Sequence, residues 1–195
     1  MKLILASASP RRRELLAQMG EAFDVVPAGL DEVPWPNEAP ASYALRNAFE
    51  KAGHVLARLP RQEDGLLISA DTIVVLAGRI LEKPADAAHA AAMLRDLSGC
   101  THEVITGLCV ARRAGGRERW LGDAVRTAVT FRALSEPEIA AYVASREAFD
   151  KAGGYGIQGR AALFIEHLSG SYSGVMGLPL YETSELLKSV GFEIL

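Results

Sequence analysis

Two segments of this 195-residue chain carry side chains whose types suit phosphate or metal chemistry. The first is Ser7-Ala8-Ser9-Pro10-Arg11-Arg12-Arg13, set between an apolar run, Lys2 to Ala6, and a helix-like stretch. Ser9 reads as an N-cap and Pro10 as the first helical residue, so free backbone N–H groups and the positive end of a helix meet at one point. Hydroxyls and guanidinium groups beside that point suit phosphate oxygens, because arginine presents paired donors. A capping serine followed by solvated arginines gives the same string, and the segment alone leaves both readings open. The second is Asp71, inside Leu66-Leu67-Ile68-Ser69-Ala70-Asp71-Thr72-Ile73-Val74-Val75. An ionised carboxylate in a buried strand is costly unless a metal, a cation or hydrogen bonds compensate it. Asp71 therefore reads as a base or metal ligand, or as a structural aspartate paired with an arginine.

Other candidates say less by themselves. Glu32 lies in an acidic, Pro-rich loop from Gly29 to Pro40, and loops of this length often hold function. Lys51 shares a helix face with Asn47. Lys83 follows a short strand and precedes a proline, and Gln158 sits in a Gly-rich run that lets backbone approach a ligand or simply turns tightly. His54, His89, His102 and His167 have no clustered spacing, which argues against a histidine-rich metal site. Neither GxxxxGK[ST] nor GxSxG occurs, which argues against a P-loop and leaves a nucleophile-elbow hydrolase without support. A net charge of −3 without a basic stripe removes the usual footprint of a nucleic-acid-binding module, despite the three consecutive arginines. Cys100 and Cys109 lack CxxC spacing and read as two buried thiols. The start of the chain lacks the order of a signal peptide, and no stretch approaches the roughly 20 apolar residues of a membrane span, so a cytoplasmic protein is expected.

The elements that must position these residues alternate between strand and helix. Strand-like runs cover Lys2 to Ala6, Phe23 to Pro27 and Leu66 to Leu76, the last leading through Ala77-Gly78 into Ile80 and Leu81. Helical spacing covers the stretch after Pro10, with Leu15, Leu16 and Met19 as its core stripe and Gly20 as its stop. It also covers about Ala41 to Leu59, through Leu45, Ala48, Ala52, Val55, Leu56 and Leu59, and about Asp86 to Leu97. His102 to Arg112 and Glu118 to Phe131 flank Ala114-Gly115-Gly116 and predict a hairpin. Ser135 with Glu138 forms a capping box for a helix to about Ala144. Ala161 to Ile165 reads as a strand, Gly170 to Pro179 as a loop, and Leu180 to Val190 as a closing helix.

Taken in order, Leu5 to Leu16, Ala70-Asp71-Thr72-Ile73-Val74, Glu82-Lys83-Pro84, Asp150-Lys151-Ala152-Gly153, Tyr155-Gly156-Ile157-Gln158-Gly159 and Gly177-Leu178-Pro179-Leu180 resemble the Maf family of nucleotide pyrophosphatases. The ordered set is specific where each piece alone is weak. The resemblance implies a single Maf-like domain over 1–195. Its α/β fold would be a central mixed, twisted sheet with flanking helices and two lobes around a deep cleft, similar to the inosine triphosphate pyrophosphatases. It implies hydrolysis of a nucleoside triphosphate to the monophosphate and pyrophosphate, a divalent cation (Mg²⁺ or Mn²⁺), and a homodimer. By the same resemblance Asp71 is the catalytic base, with Glu32 beside it at the metal. Ser7, Arg12, Lys51 and Lys83 resemble phosphate-binding positions, while Arg11, Thr72 and Gln158 resemble the specificity residues of the branch acting on dTTP and UTP. The family also carries an alternative role, as a nucleotide-binding regulator of cell division.

Overall fold

The computed structural model describes residues 2–60 and 63–194. In chain order the elements are β1 (Lys2–Leu5), α1 (Pro10–Ala17), β2 (Asp24–Val25), α2 (Pro40–Arg58), β3 (Gly65–Leu76), β4 (Arg79–Leu81) and α3 (Ala87–Leu97). They continue as β5 (Thr101–Ala114), β6 (Arg117–Phe131), α4 (Glu136–Ala144), β7 (Ile165–Ser169), α5 (Tyr172–Met176) and α6 (Leu180–Ser189). The strands form a seven-stranded mixed sheet in the order β2-β1-β3-β5-β6-β7, with β4 on β3. β1 runs parallel to β2 and to β3, whereas β4 is antiparallel to β3 and β7 to β6. This is the α/β class expected of the sequence. Among the described residues no helix is long and apolar enough to cross a membrane.

Turn chemistry explains how the long strands reverse. Ala77 and Gly78 between β3 and β4 have φ of 49° and 79°, and Gly115 and Gly116 between β5 and β6 have 55° and 72°. Two consecutive left-handed residues match the right-handed twist of the flanking strands, which is why Gly dominates here.

The chain divides into two compact units. The first gathers Met1–Asp71, Thr106–Val125 and Gly177–Leu195. Its core packs Ile4, Ala6, Leu67, Cys109 and Ala111 against Ala48, Ala52, Val55 and Leu56 of α2. The small residues on that helix face allow a close approach to the sheet. At Gly107 of β5 an added Cβ would lie 2.1 Å from the carbonyl oxygen of Ala44, so only glycine fits beneath α2. The second unit holds Thr72–Ile105 and Arg126–Met176. Val74, Leu81, Ala90, Leu94, Leu97, Ile139 and Tyr142 surround an aromatic group of Phe131, Tyr155 and Phe164 there. His102 joins that group, with Nε2 2.7 Å from the Tyr155 hydroxyl, and burial pushes its imidazole down to about 4. It is neutral at physiological pH and packs in the core. The predicted capping box of α4 is present, the Ser135 N–H donating to Glu138 Oε2 at 2.9 Å.

Three expectations are corrected. Ala161 to Ile165 is not a strand: a 3₁₀ turn occupies Arg160–Leu163, and β7 begins only at Ile165. Ala161 and Phe164, three residues apart, both enter the core, a spacing that a tight helical turn satisfies and a strand does not. Gly170 to Pro179 contains α5, whose start is tied by the Gly174 N–H donating to Ser171 Oγ at 3.1 Å. The thiols also differ, since Cys109 is buried but Cys100 only partly so.

Candidate active site

The site begins with the alternation of β3. Leu67, Ser69 and Asp71 share one face of the strand, and α2 covers that face. The Ser69 hydroxyl donates to the Ala48 carbonyl at 2.6 Å, which pins helix to strand two residues before the carboxylate. Asp71 is only 4 % exposed. Its charge is met by two side chains one helical turn apart on α2. Asn47 Nδ2 donates to Oδ2 at 2.9 Å and Lys51 Nζ donates to Oδ1 at 2.7 Å. Asn47 is 2 % and Lys51 8 % exposed, so the network is shielded from water. Burial pushes the Asp71 carboxyl up. The charges of Lys51 and Arg12, with the hydrogen bonds from Lys51 and Asn47, outweigh that and hold it below the ordinary aspartate range.

Lys51 has a second acidic partner. Glu32, on the loop before α2, brings Oε1 to 2.7 Å from the same Nζ. Two carboxylates thus converge on one ammonium, Asp71 buried and Glu32 with its side chain 41 % exposed. Among the described residues no group of three or more His, Cys, Asp or Glu gathers as a closed metal cage. A pair of carboxylates is nevertheless the donor set that Mg²⁺ commonly takes from protein, with substrate phosphates and water supplying the rest. The residues present fit a hard divalent cation of that kind.

Basic groups come from the opening helix. Ser9 caps α1, accepting the Arg12 N–H at 3.4 Å, and Pro10 is its first residue, as the sequence indicates. Ser7, almost fully buried, accepts the Ser9 N–H at 3.2 Å and Arg12 Nη1 at 3.4 Å. Arg12 Nε donates to the Gly177 carbonyl at 2.7 Å, which ties the start of α1 to the segment leading into α6. Burial lowers the Arg12 guanidinium from its usual value, Asp71 and Glu32 act against that, and Arg11 adds to it. Arginine stays charged even so. The first unit therefore brings together Ser7, Arg12, Glu32, Lys51 and Asp71, with Arg11 half-buried on the first turn of α1.

Thr72, Lys83 and Gln158 belong to the second unit. Thr72 follows Asp71 directly and is half-buried, while Lys83 and Gln158 are exposed. Within that unit their segments are tied to each other. The Gly153 N–H donates to the Glu82 carbonyl at 3.2 Å, and Gly153 and Gly154 both have left-handed backbone, with φ of 68° and 70°. Glycine is needed for that path, which explains the composition of the run. Sequence reasoning gave Asn47 no part in the site, where it holds Asp71. Its placement four residues before Lys51 on one helix face was the available signal.

A family model described as Maf-like protein matches residues 2–190. The chain is 52% identical over 185 residues to the dTTP/UTP pyrophosphatase of Salmonella typhimurium (strain LT2), covering 95% of this chain and 91% of the relative. It is 50% identical over 190 residues to the dTTP/UTP pyrophosphatase of Geobacter sulfurreducens, covering 97% of each. To the dTTP/UTP pyrophosphatase of Syntrophus aciditrophicus (strain SB) it is 48% identical over 190 residues, covering 97% of this chain and 90% of the relative. An ordered set of motifs spread over almost the whole chain, an α/β fold with a mixed sheet, and relatives of this identity and coverage lead to one conclusion: the chain belongs to the Maf family.

Proposed function

We propose that this protein hydrolyses dTTP and UTP to the monophosphate and pyrophosphate, with Mg²⁺ or Mn²⁺ as cofactor. The observation that carries the reading is the buried Asp71 carboxylate, shared between Asn47 and Lys51 and under the field of Arg12. A module that only bound a nucleotide to regulate a partner would have no need to keep a carboxylate ionised in its core. Glu32 and Asp71 would hold the cation, which supplies charge neutralisation and Lewis acidity when bound. Ser7 has a hydroxyl proton to donate while its oxygen accepts, and Arg12 offers a planar fork, so both suit phosphate oxygens. Lys51 adds positive charge where negative charge grows in the transition state. Asp71, an ionised carboxylate, would orient the attacking water and accept its proton as the new bond forms. The water oxygen would bond to the α-phosphorus in line as the bond to the bridging oxygen breaks and pyrophosphate leaves, the water's proton passing to the Asp71 carboxylate.

For Arg11, Thr72, Lys83 and Gln158 the support is the resemblance of their motifs to the family. Choice of pyrimidine calls for polar groups that meet one base edge and leave another unpaired, and Thr72 and Gln158 have suitable donors and acceptors. A cytoplasmic location and a two-fold dimer go with this reading. The experiment is pyrophosphate release from a panel of triphosphates with Mg²⁺, with Mn²⁺ and with EDTA. Release from UTP and dTTP that EDTA abolishes is expected, and equal release in EDTA would end the metal reading. In the same panel Gln158→Ala should lower the preference for UTP over a purine triphosphate by about 10-fold or more, as lost base recognition does. Unchanged ratios would remove Gln158 from the specificity set.

A further inference from the structure

Beyond Leu30, which packs on the core, the loop that carries Glu32 has little apolar burial to seat it: Val33 is 64 % and Trp35 60 % exposed. Lys51 grips Glu32 itself, and the stretch beyond it is fastened by another side chain of α2, Arg46. Its Nε and Nη2 take the two oxygens of Glu38 at 2.7 Å each, a bidentate pair. Nη2 also donates to the Val33 carbonyl at 3.0 Å, one residue beyond Glu32. The guanidinium carbon lies 4.2 Å from the centre of the Trp35 ring and 5.4 Å from that of Tyr43, while Nη1 reaches both oxygens of Glu50 on the next turn at 3.1 Å. The stretch it grips is itself braced, the Trp35 N–H donating to Glu38 Oε2 at 3.0 Å and the Glu38 N–H to the Trp35 carbonyl at 3.1 Å. Arg46 lies one residue before Asn47, so the grip on the loop and the grip on Asp71 issue from the same turn of α2.

We propose that Arg46 is the positioning residue for Glu32. Its fork fastens the 33–38 stretch to α2 and so sets the Glu32 carboxylate beside Asp71 and Lys51. The proposal rests on the reading of Glu32 as a cation ligand. No other protonated side chain replaces Arg46, because the geometry uses its plane against Trp35 and its several N–H groups at once, which a lysine ammonium cannot reproduce.

The test measures Mn²⁺ binding without nucleotide, by the resonance of free Mn²⁺, and acrylamide quenching of Trp35 in a Trp120→Phe background. Arg46→Met is expected to raise Trp35 quenching and to weaken Mn²⁺ binding about 10- to 100-fold, the usual cost of removing the support of a metal ligand. Arg46→Lys should fall between this variant and the parent. A purely structural Arg46 would lower the melting temperature without moving Mn²⁺ affinity. Trp35 released with Mn²⁺ affinity unchanged overturns the proposal, and so does Trp35 quenching that does not rise. Should Arg46→Met fail to fold, Arg46→Lys is measured in its place, and the same two outcomes overturn the proposal. Glu32→Gln separates the levels: if it leaves Mn²⁺ binding intact, the cation reading itself fails and the proposal falls with it. If Glu32→Gln weakens binding and the Arg46 variants do not, only the proposal falls.

Discussion

Asp71→Asn is expected to lower kcat for pyrophosphate release by about 10³-fold or more, the scale at which loss of a positioned carboxylate acts in acid–base and metal-assisted chemistry. The substitution is nearly isosteric, so the backbone of β3 and the packing under α2 should persist. What changes is charge. Lys51 keeps Glu32 as a partner at 2.7 Å, and Asn47 keeps a carbonyl-type oxygen to donate to. Far-UV circular dichroism should therefore remain native while turnover collapses. Retention of full metal-dependent turnover would remove Asp71 from the chemistry. The pH dependence follows from the same geometry. The carboxyl is held below the ordinary aspartate value of about 3.9, so its contribution to stability is complete above that pH. It is lost only as pH falls through the lower, folded-state value, and no loss from this group is expected near neutrality.

The largest effect on stability is expected at Gly107. A Cβ there would stand 2.1 Å from the Ala44 oxygen, 2.3 Å from its carbonyl carbon and 2.5 Å from the Leu45 nitrogen, all backbone atoms that cannot rotate aside. Gly107→Ala must therefore lift α2 from β5, at a cost at or above about 3 kcal/mol, the upper end of ordinary overpacking. In a chain of this length that corresponds to a fall of roughly 10 °C in melting temperature. Because Asn47 and Lys51 lie one and two turns beyond Ala44, activity should fall even at temperatures where the variant stays folded. Gly65 provides the contrast, since a Cβ there meets its nearest neighbour, the Lys2 oxygen, at 3.9 Å. Thermal melts in which both Gly→Ala variants behave alike would show that the close approach at Gly107 carries no special weight.

Much of this arrangement is written in local chemistry. A charged residue in the middle of an apolar run marks Asp71, because burial of a carboxylate demands an explanation that few sequences supply. Ser9-Pro10 marks the start of α1, and Ala77-Gly78 and Gly115-Gly116 mark reversals of the sheet, because each fixes a backbone angle without help from distant residues. The misplaced strand at Ala161 to Ile165 shows the limit. A short apolar run has no period long enough to separate a tight turn from a strand, and the pairing of Ile165 to Ser169 with Ala128 to Phe131 is decided across more than thirty residues. α5 was hidden for a related reason: five residues with a glycine among them and serines nearby have weak propensity, and the short helix depends on the Ser171 hydroxyl. Within the site, the roles of Asn47 and Arg46 escape a linear reading because both depend on which face of α2 meets β3 and which meets the loop.

The ammonium of Lys51, caught between two acids, has a further meaning for how the protein is made. Two bare carboxylates brought together would push apart, and a domain that relied on a metal to reconcile them would fold only when loaded. Here the polypeptide supplies its own resident counter-charge. On the cation reading proposed above, attaining the native shape and acquiring the metal would thereby be separate events.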